Sequence, residues 1–229
     1  MRPPWRSWQR SEDYYSEGQL IWLEADMLIR QKTNNSKSLD DFARTFFGIN
    51  NGSYVTVTYN FDDVVKALNS VVPYDWANFL RTRLDKTGTD PLGGLKMGGY
   101  KLVFTDKPTD YIKSSEGVRK NTDLLFSLGV ILDKKGAVTE AMWDGPAMKA
   151  GITVGTEIVA VNGNAYDADD LKDVITDAKT GSAPIQLLLK DSDQYRTVSV
   201  NYHGGLRYPH LERLPNTPAL LDNLLAAKK

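Results

Sequence analysis

The sequence predicts an α+β protein: an all-helical first segment followed by a strand-rich second segment that carries two helices. Three observations lead there. Residues 12–86 hold four apolar runs at helical spacing. From Tyr100 onward apolar residues alternate in short runs bounded by glycine, proline and Asn-Gly, the pattern of half-buried strands. Between the two, Lys86-Thr-Gly-Thr-Asp-Pro-Leu-Gly-Gly94 carries three glycines and a proline and reads as a connector.

In chain order, residues 1–11 are polar and aromatic, and Pro3 and Pro4 disfavour an early helix. Leu20, Leu23, Met27 and Leu28, with Ile21 and Trp22, give a first helix from Glu12 through Arg30. Thr33 to Ser36 reads as a turn. Ser38 is an N-cap for a second helix, with Asp40 and Asp41 at its positive end and Phe42, Phe46 and Phe47 as its stripe. Val55-Thr-Val-Thr-Tyr59 alternates like a short strand or extended segment. A third helix starts at Phe61 and a fourth runs from Asp75 to Leu84. Such a helical layer needs something to bury its stripes against, which suggests a piece of a larger domain.

The second segment begins with a strand at Tyr100–Thr105. Leu124-Leu-Phe-Ser-Leu-Gly-Val-Ile-Leu132 is a nearly unbroken apolar run, read as a buried strand in which Gly129 marks a close backbone approach. Strands follow at 137–142, 157–161, 185–189 and 196–202. A short helix at 145–151 starts on Pro146, and a longer one spans 169–179. The tail from 203 on is rich in proline, leucine and basic residues, with a helical end at 218–227. The segments implied are 1–90, 91–123, 124–203 and 204–229.

A length of 229 residues suggests one or two domains. The formal net charge of −1 gives no reason to expect nucleic acid or an anionic membrane as partner. With no cysteine there are no disulfides and no thiolate metal sites. No apolar run approaches the ~20 residues of a membrane span, and Met1 to Arg6 lacks an apolar signal core. A soluble chain without an address label is expected.

Gly145-Pro-Ala-Met-Lys-Ala-Gly-Ile152, Val154-Gly-Thr-Glu-Ile-Val-Ala-Val-Asn-Gly163 and Asp170-Leu-Lys-Asp-Val-Ile175 resemble a PDZ domain over about 124–202, in the permuted strand order of bacterial protease-associated members. The resemblance implies a partly open β-barrel with two helices. It also implies a groove for peptide C-termini: Ser127, Leu128, Gly129 and Val130 as the carboxylate loop, Val130 to Leu132 as the edge on which the peptide adds, and Ala168, Lys172 and Ile175 facing it from the helix. Such a loop needs converging backbone N–H donors, and glycine lets the backbone turn and approach closely.

Trp5-Arg-Ser-Trp8, Asp13-Tyr-Tyr-Ser-Glu-Gly-Gln-Leu20, Ser38-Leu-Asp-Asp-Phe-Ala-Arg44, Asp62-Asp-Val-Val65, Tyr202-His-Gly-Gly205 and Arg207-Tyr-Pro-His-Leu-Glu-Arg213 resemble the C-terminal part of the glycyl aminopeptidase family, gluzincin metallopeptidases that end in a PDZ domain. In that family one zinc ion, held by a His-Glu-x-x-His helix and a glutamate, serves to release an N-terminal residue. That motif is absent from this sequence. Its two histidines, His203 and His210, lie seven apart in the tail. Tyr15-Ser-Glu-Gly18 matches the pattern at which such enzymes carry a tyrosine that hydrogen-bonds the oxyanion; the role falls to Tyr15, with Tyr14 second.

The expectation is therefore part of a zinc-dependent aminopeptidase for N-terminal glycine or other small residues. It holds no metal ligands or cofactor of its own, zinc belonging to the longer parent, and is inactive alone. Expected partners are peptide or protein C-termini and the missing catalytic domain. The family alone suggests a periplasmic or secreted location. The competing reading is a free-standing PDZ adaptor without a catalytic role.

Overall fold

The computed structural model describes residues 5–6 and 12–227. The readings of Pro3, Pro4 and Trp8 lie outside the described residues. Two compact units emerge, one holding residues 12–102 and 211–227, the other β1 (Trp5–Arg6) and residues 103–210.

The helical unit is organised by α1 (Asp13–Lys32). Its Ala25, Met27 and Ile29 are fully buried. Asp26 and Arg30, buried one turn apart, pair at 2.6 Å, and the second Asp26 oxygen accepts the Leu39 N–H at 2.6 Å. That bond fixes where α2 (Leu39–Phe47) begins. Ser38 caps α2 in a reciprocal box with Asp41, and Asn60 does the same with Asp63 for α3 (Phe61–Val71). Asp75 caps α4 (Trp76–Asp85). Phe42, Leu68, Val71, Trp76 and Leu80 close on Ala25 and Ile29 as one core. The expected connector, residues 86–94, instead runs into α5 (Gly93–Met97), packed on α1. A Cβ on Gly94 would lie 2.8 Å from the Glu24 backbone nitrogen, so only glycine lets the two helices come this close. Residues 55–59 are exposed and join no ladder. α9 (Leu220–Leu225) is the last described element, with Leu220 and Leu221 buried.

β2 (Tyr100–Thr105) and β10 (Tyr208–Arg213) form a two-stranded ribbon through which the chain passes from one unit to the other. The tail reading missed β10.

In the strand unit, α6 (Asp110–Arg119) was not foreseen, because it has no buried residue and hence no apolar stripe. The run 124–132 is not one strand. It splits into β3 (Asn121–Leu124), a turn, and β4 (Val130–Asp133), with Gly129 at φ +86° where the chain reverses. After β5 (Val138–Met142) and α7 (Pro146–Lys149) come β6 (Glu157–Val161), β7 (Asn164–Ala165), α8 (Ala168–Asp177), β8 (Ile185–Asp191) and β9 (Gln194–Val200). They build two open four-stranded sheets, β1-β5-β4-β3 and β7-β6-β8-β9, with an isolated bridge between Ala137 and Glu157. Among the described residues no ladder closes them into a barrel. Leu124, Val130, Leu132, Ile158, Leu171, Ile175 and Leu187 share the core between the sheets and α8. Trp5 also packs here, with β1 parallel to β5, so this N-terminal piece belongs to the strand unit and not to the helical segment.

Candidate functional site

Gly129 shapes the turn expected to receive a carboxylate. The Leu128 carbonyl accepts from Ala147 N–H at 2.8 Å and the Gly129 carbonyl from Met142 N–H at 2.7 Å. Because a peptide's N–H and C=O point in opposite directions, the Gly129 N–H faces the other way and donates to the Leu124 carbonyl at 3.0 Å. Ser127 N–H donates to the same oxygen at 3.1 Å. Ser127 is buried, and its Oγ accepts the Arg207 N–H at 3.0 Å, which ties the turn to the residues before β10. Leu128 is buried as well.

Val130 and Leu132 sit in β4, where Thr122 faces Leu132 and Leu124 faces Val130 across an antiparallel ladder. On the opposite side β4 pairs with β5. Both edges of β4 are therefore occupied, and the edge expected to accept a peptide carries β3. This occupant was missed by sequence reasoning. Its signal was present: Asn121-Thr-Asp-Leu124 alternates, and the Asp123 carboxylate accepts Leu125 N–H at 3.1 Å, the turn aspartates favour at a strand end.

From α8, Ile175 is fully buried and joins the core that holds Leu124, while Ala168 and Lys172 are half-buried. Glu116 of α6 links the parts: its carboxylate accepts the outward Asp123 N–H at 2.7 Å and lies 4.0 Å from the Lys172 ammonium. Tyr166, just before α8, stands beside Thr122. Its buried hydroxyl makes no hydrogen bond of ordinary geometry, and burial raises its pKa, with the Thr122 hydroxyl pulling it the other way.

In the helical unit Tyr15 lies in the first turn of α1 and is 66 % exposed. Tyr14 and Tyr15 have ring centroids 4.4 Å apart. The Tyr14 phenol holds its proton above the ordinary range, first because it hydrogen-bonds Tyr15. Both line an open cleft of about 830 Å³ with Trp22, Phe42, Phe46 and Tyr59. Phe46 meets Tyr59 edge-on at 4.9 Å and stacks on Phe42 at 5.2 Å. The cleft offers apolar surface and phenol donors.

The two histidines do not fit a zinc site. His203 Nδ1 bonds the Ala178 carbonyl at 2.7 Å and its Nε2 the Asn201 side chain at 2.9 Å, while His210 Nε2 bonds the Lys107 carbonyl at 2.6 Å. Among the described residues no group of three or more His, Cys, Asp or Glu side chains could hold a metal ion. No helix among them is long and apolar enough to cross a membrane.

No protein-family model matches this chain, and no curated protein matches it. Among solved structures, the aminopeptidase N family protein from Idiomarina loihiensis superposes with a TM-score of 0.58 at 16 % identity, over 93 % of this chain and 36 % of that one. The HtrA3 PDZ domain bound to a phage-derived ligand, FGRWV, gives a TM-score of 0.26 at 17 % identity, over 51 % of this chain and 93 % of that one, too slight a likeness to carry an argument. The chain thus has a mixed helix-and-sheet fold shared with about a third of an aminopeptidase N family protein.

Proposed function

We propose that this chain is the zinc-free portion of a gluzincin-type aminopeptidase, a helical unit that lends an aromatic cleft and Tyr15 to a reaction centre completed elsewhere, joined to a PDZ-like unit that handles peptide or regulates the peptidase. The observation that carries this reading is the shared fold over 93 % of the chain, set against coverage of only 36 % of the aminopeptidase N family protein. The exposed Tyr14, Tyr15, Phe47 and Tyr59 support it, since a cleft so lined suits burial against a further domain or a substrate. In that setting the Tyr15 hydroxyl donates to the oxyanion formed when the peptide carbonyl is attacked. A donor of this kind is worth about 3–4 kcal/mol of transition-state stabilisation. Zinc, bound by residues outside this chain, would activate the attacking water.

Two measurements test the reading. The chain alone, given peptides with N-terminal glycine or alanine, should release no amino acid with or without added zinc; zinc-dependent release would overturn it. The coding sequence upstream of Met1 should encode a His-Glu-x-x-His helix within a few hundred residues, and finding none would end the peptidase reading.

A further inference from the structure

We propose that Asn121–Leu124 is an intramolecular ligand that fills the peptide groove of the strand unit, with the Leu124 carbonyl standing where a peptide's terminal carboxylate would bind. The inference rests on the PDZ-like reading of the strand unit proposed above and not on the peptidase reading.

Four observations converge on it. The Leu124 carbonyl collects two N–H donors from the glycine turn, Ser127 at 3.1 Å and Gly129 at 3.0 Å, the convergence a bound carboxylate asks for. β3 lies antiparallel on β4 in unbroken register, Asn121 against Asp133 through Leu124 against Val130, as an added peptide strand would lie. Leu124 is fully buried in the core that includes Leu171 and Ile175 of α8, so it occupies an apolar pocket as a ligand's last side chain would. Two residues earlier Thr122 is 6 % exposed and stands beside the unpaired Tyr166 hydroxyl, while Asp123 between them points away from the core. The outer face of the strand is held by Glu116, which accepts Asp123 N–H and neighbours Lys172.

The occupant supplies its own probe sequence, Asn-Thr-Asp-Leu. It differs from a free ligand in one respect: the chain continues into Leu125, so the group on the two N–H donors is a neutral amide. A free carboxylate would add charge to those bonds and strengthen them, yet it must first displace β3.

The test uses the full chain and a fluorescent peptide ending in Asn-Thr-Asp-Leu with a free carboxyl group, alongside its C-terminal amide. Thr122→Pro removes the strand N–H that faces Leu132 and disfavours β3 on β4. It should bind the free-acid peptide at least tenfold more tightly than the native chain does, and should discriminate against the amide. Because the chain has no cysteine, Asp123→Cys with Ile131→Cys, directly opposed across the ladder, makes a reversible staple. Oxidised, it should bind no peptide; reduced, it should bind at least as well as the native chain. If Thr122→Pro does not fold, the stapled protein decides alone. Equal binding by oxidised and reduced staple, equal affinity of folded Thr122→Pro and the native chain, or no binding by any opened form would overturn the proposal.

Discussion

Tyr208 is 3 % exposed, and its surroundings act on a single proton. Burial first, then the carboxylates of Glu116, Asp123 and Asp169, push its phenol up to about 12. An unfolded tyrosine titrates near 10. Between about pH 10 and 12 the unfolded chain has lost this proton and the folded chain keeps it, so stability falls as pH rises through that window and is unaffected by this group below it. Urea unfolding at pH 8 and pH 11 should show that decline, smaller in Tyr208→Phe; equal declines would show that Tyr208 ionises normally. Tyr166 and Tyr202 are also raised by burial and keep the residual slope. At this scale much was legible in the sequence. Ser38 caps α2 through its own hydroxyl, and Pro146 opens α7, because caps and first-turn prolines act within a few residues. Glu116 was not legible, since its partners Asp123 and Lys172 are brought to it by the fold.

Glycines separate the elements that are merely built from those that are fitted. Gly94 in α5 sits against the Glu24 backbone, so a methyl group there must push α5 off α1. Gly94→Ala should lower stability by about 1–3 kcal/mol despite alanine's better helix propensity. Gly117 in α6 has nothing within 4 Å of an added Cβ, and Gly117→Ala should raise stability by up to about 1 kcal/mol. Chemical denaturation of the two variants compares them directly; changes of the same sign would contradict the packing argument. The glycines of 86–94 read as a connector because a connector and a close helix crossing use the same residue. The same limit hid β3. An apolar run from 124 to 132 fits a single strand as well as a hairpin, and only the positive φ of Gly129 and the Asp123 turn decide. α6 escaped because periodicity needs a buried face, which it lacks.

For the whole molecule, the shared fold with a longer aminopeptidase N family chain and the histidines already bonded to carbonyls and to Asn201 lead to one expectation. Zinc added in excess should leave the melting temperature where it is, because a metal stabilises a fold only by binding it more tightly than the unfolded chain. A saturable rise at one zinc per chain would reveal a site that these contacts do not suggest. The hairpin of β3 and β4 carries a different consequence. Residues 125–129, a turn with Ser127 and Leu128 buried, tether the internal strand to its own partner, and even a short flexible tether corresponds to an effective concentration on the order of millimolar. A free peptide of equal intrinsic affinity competes only near that concentration. On the proposed reading the groove acts as a threshold, silent to scarce chain ends and responsive where peptide ends are abundant.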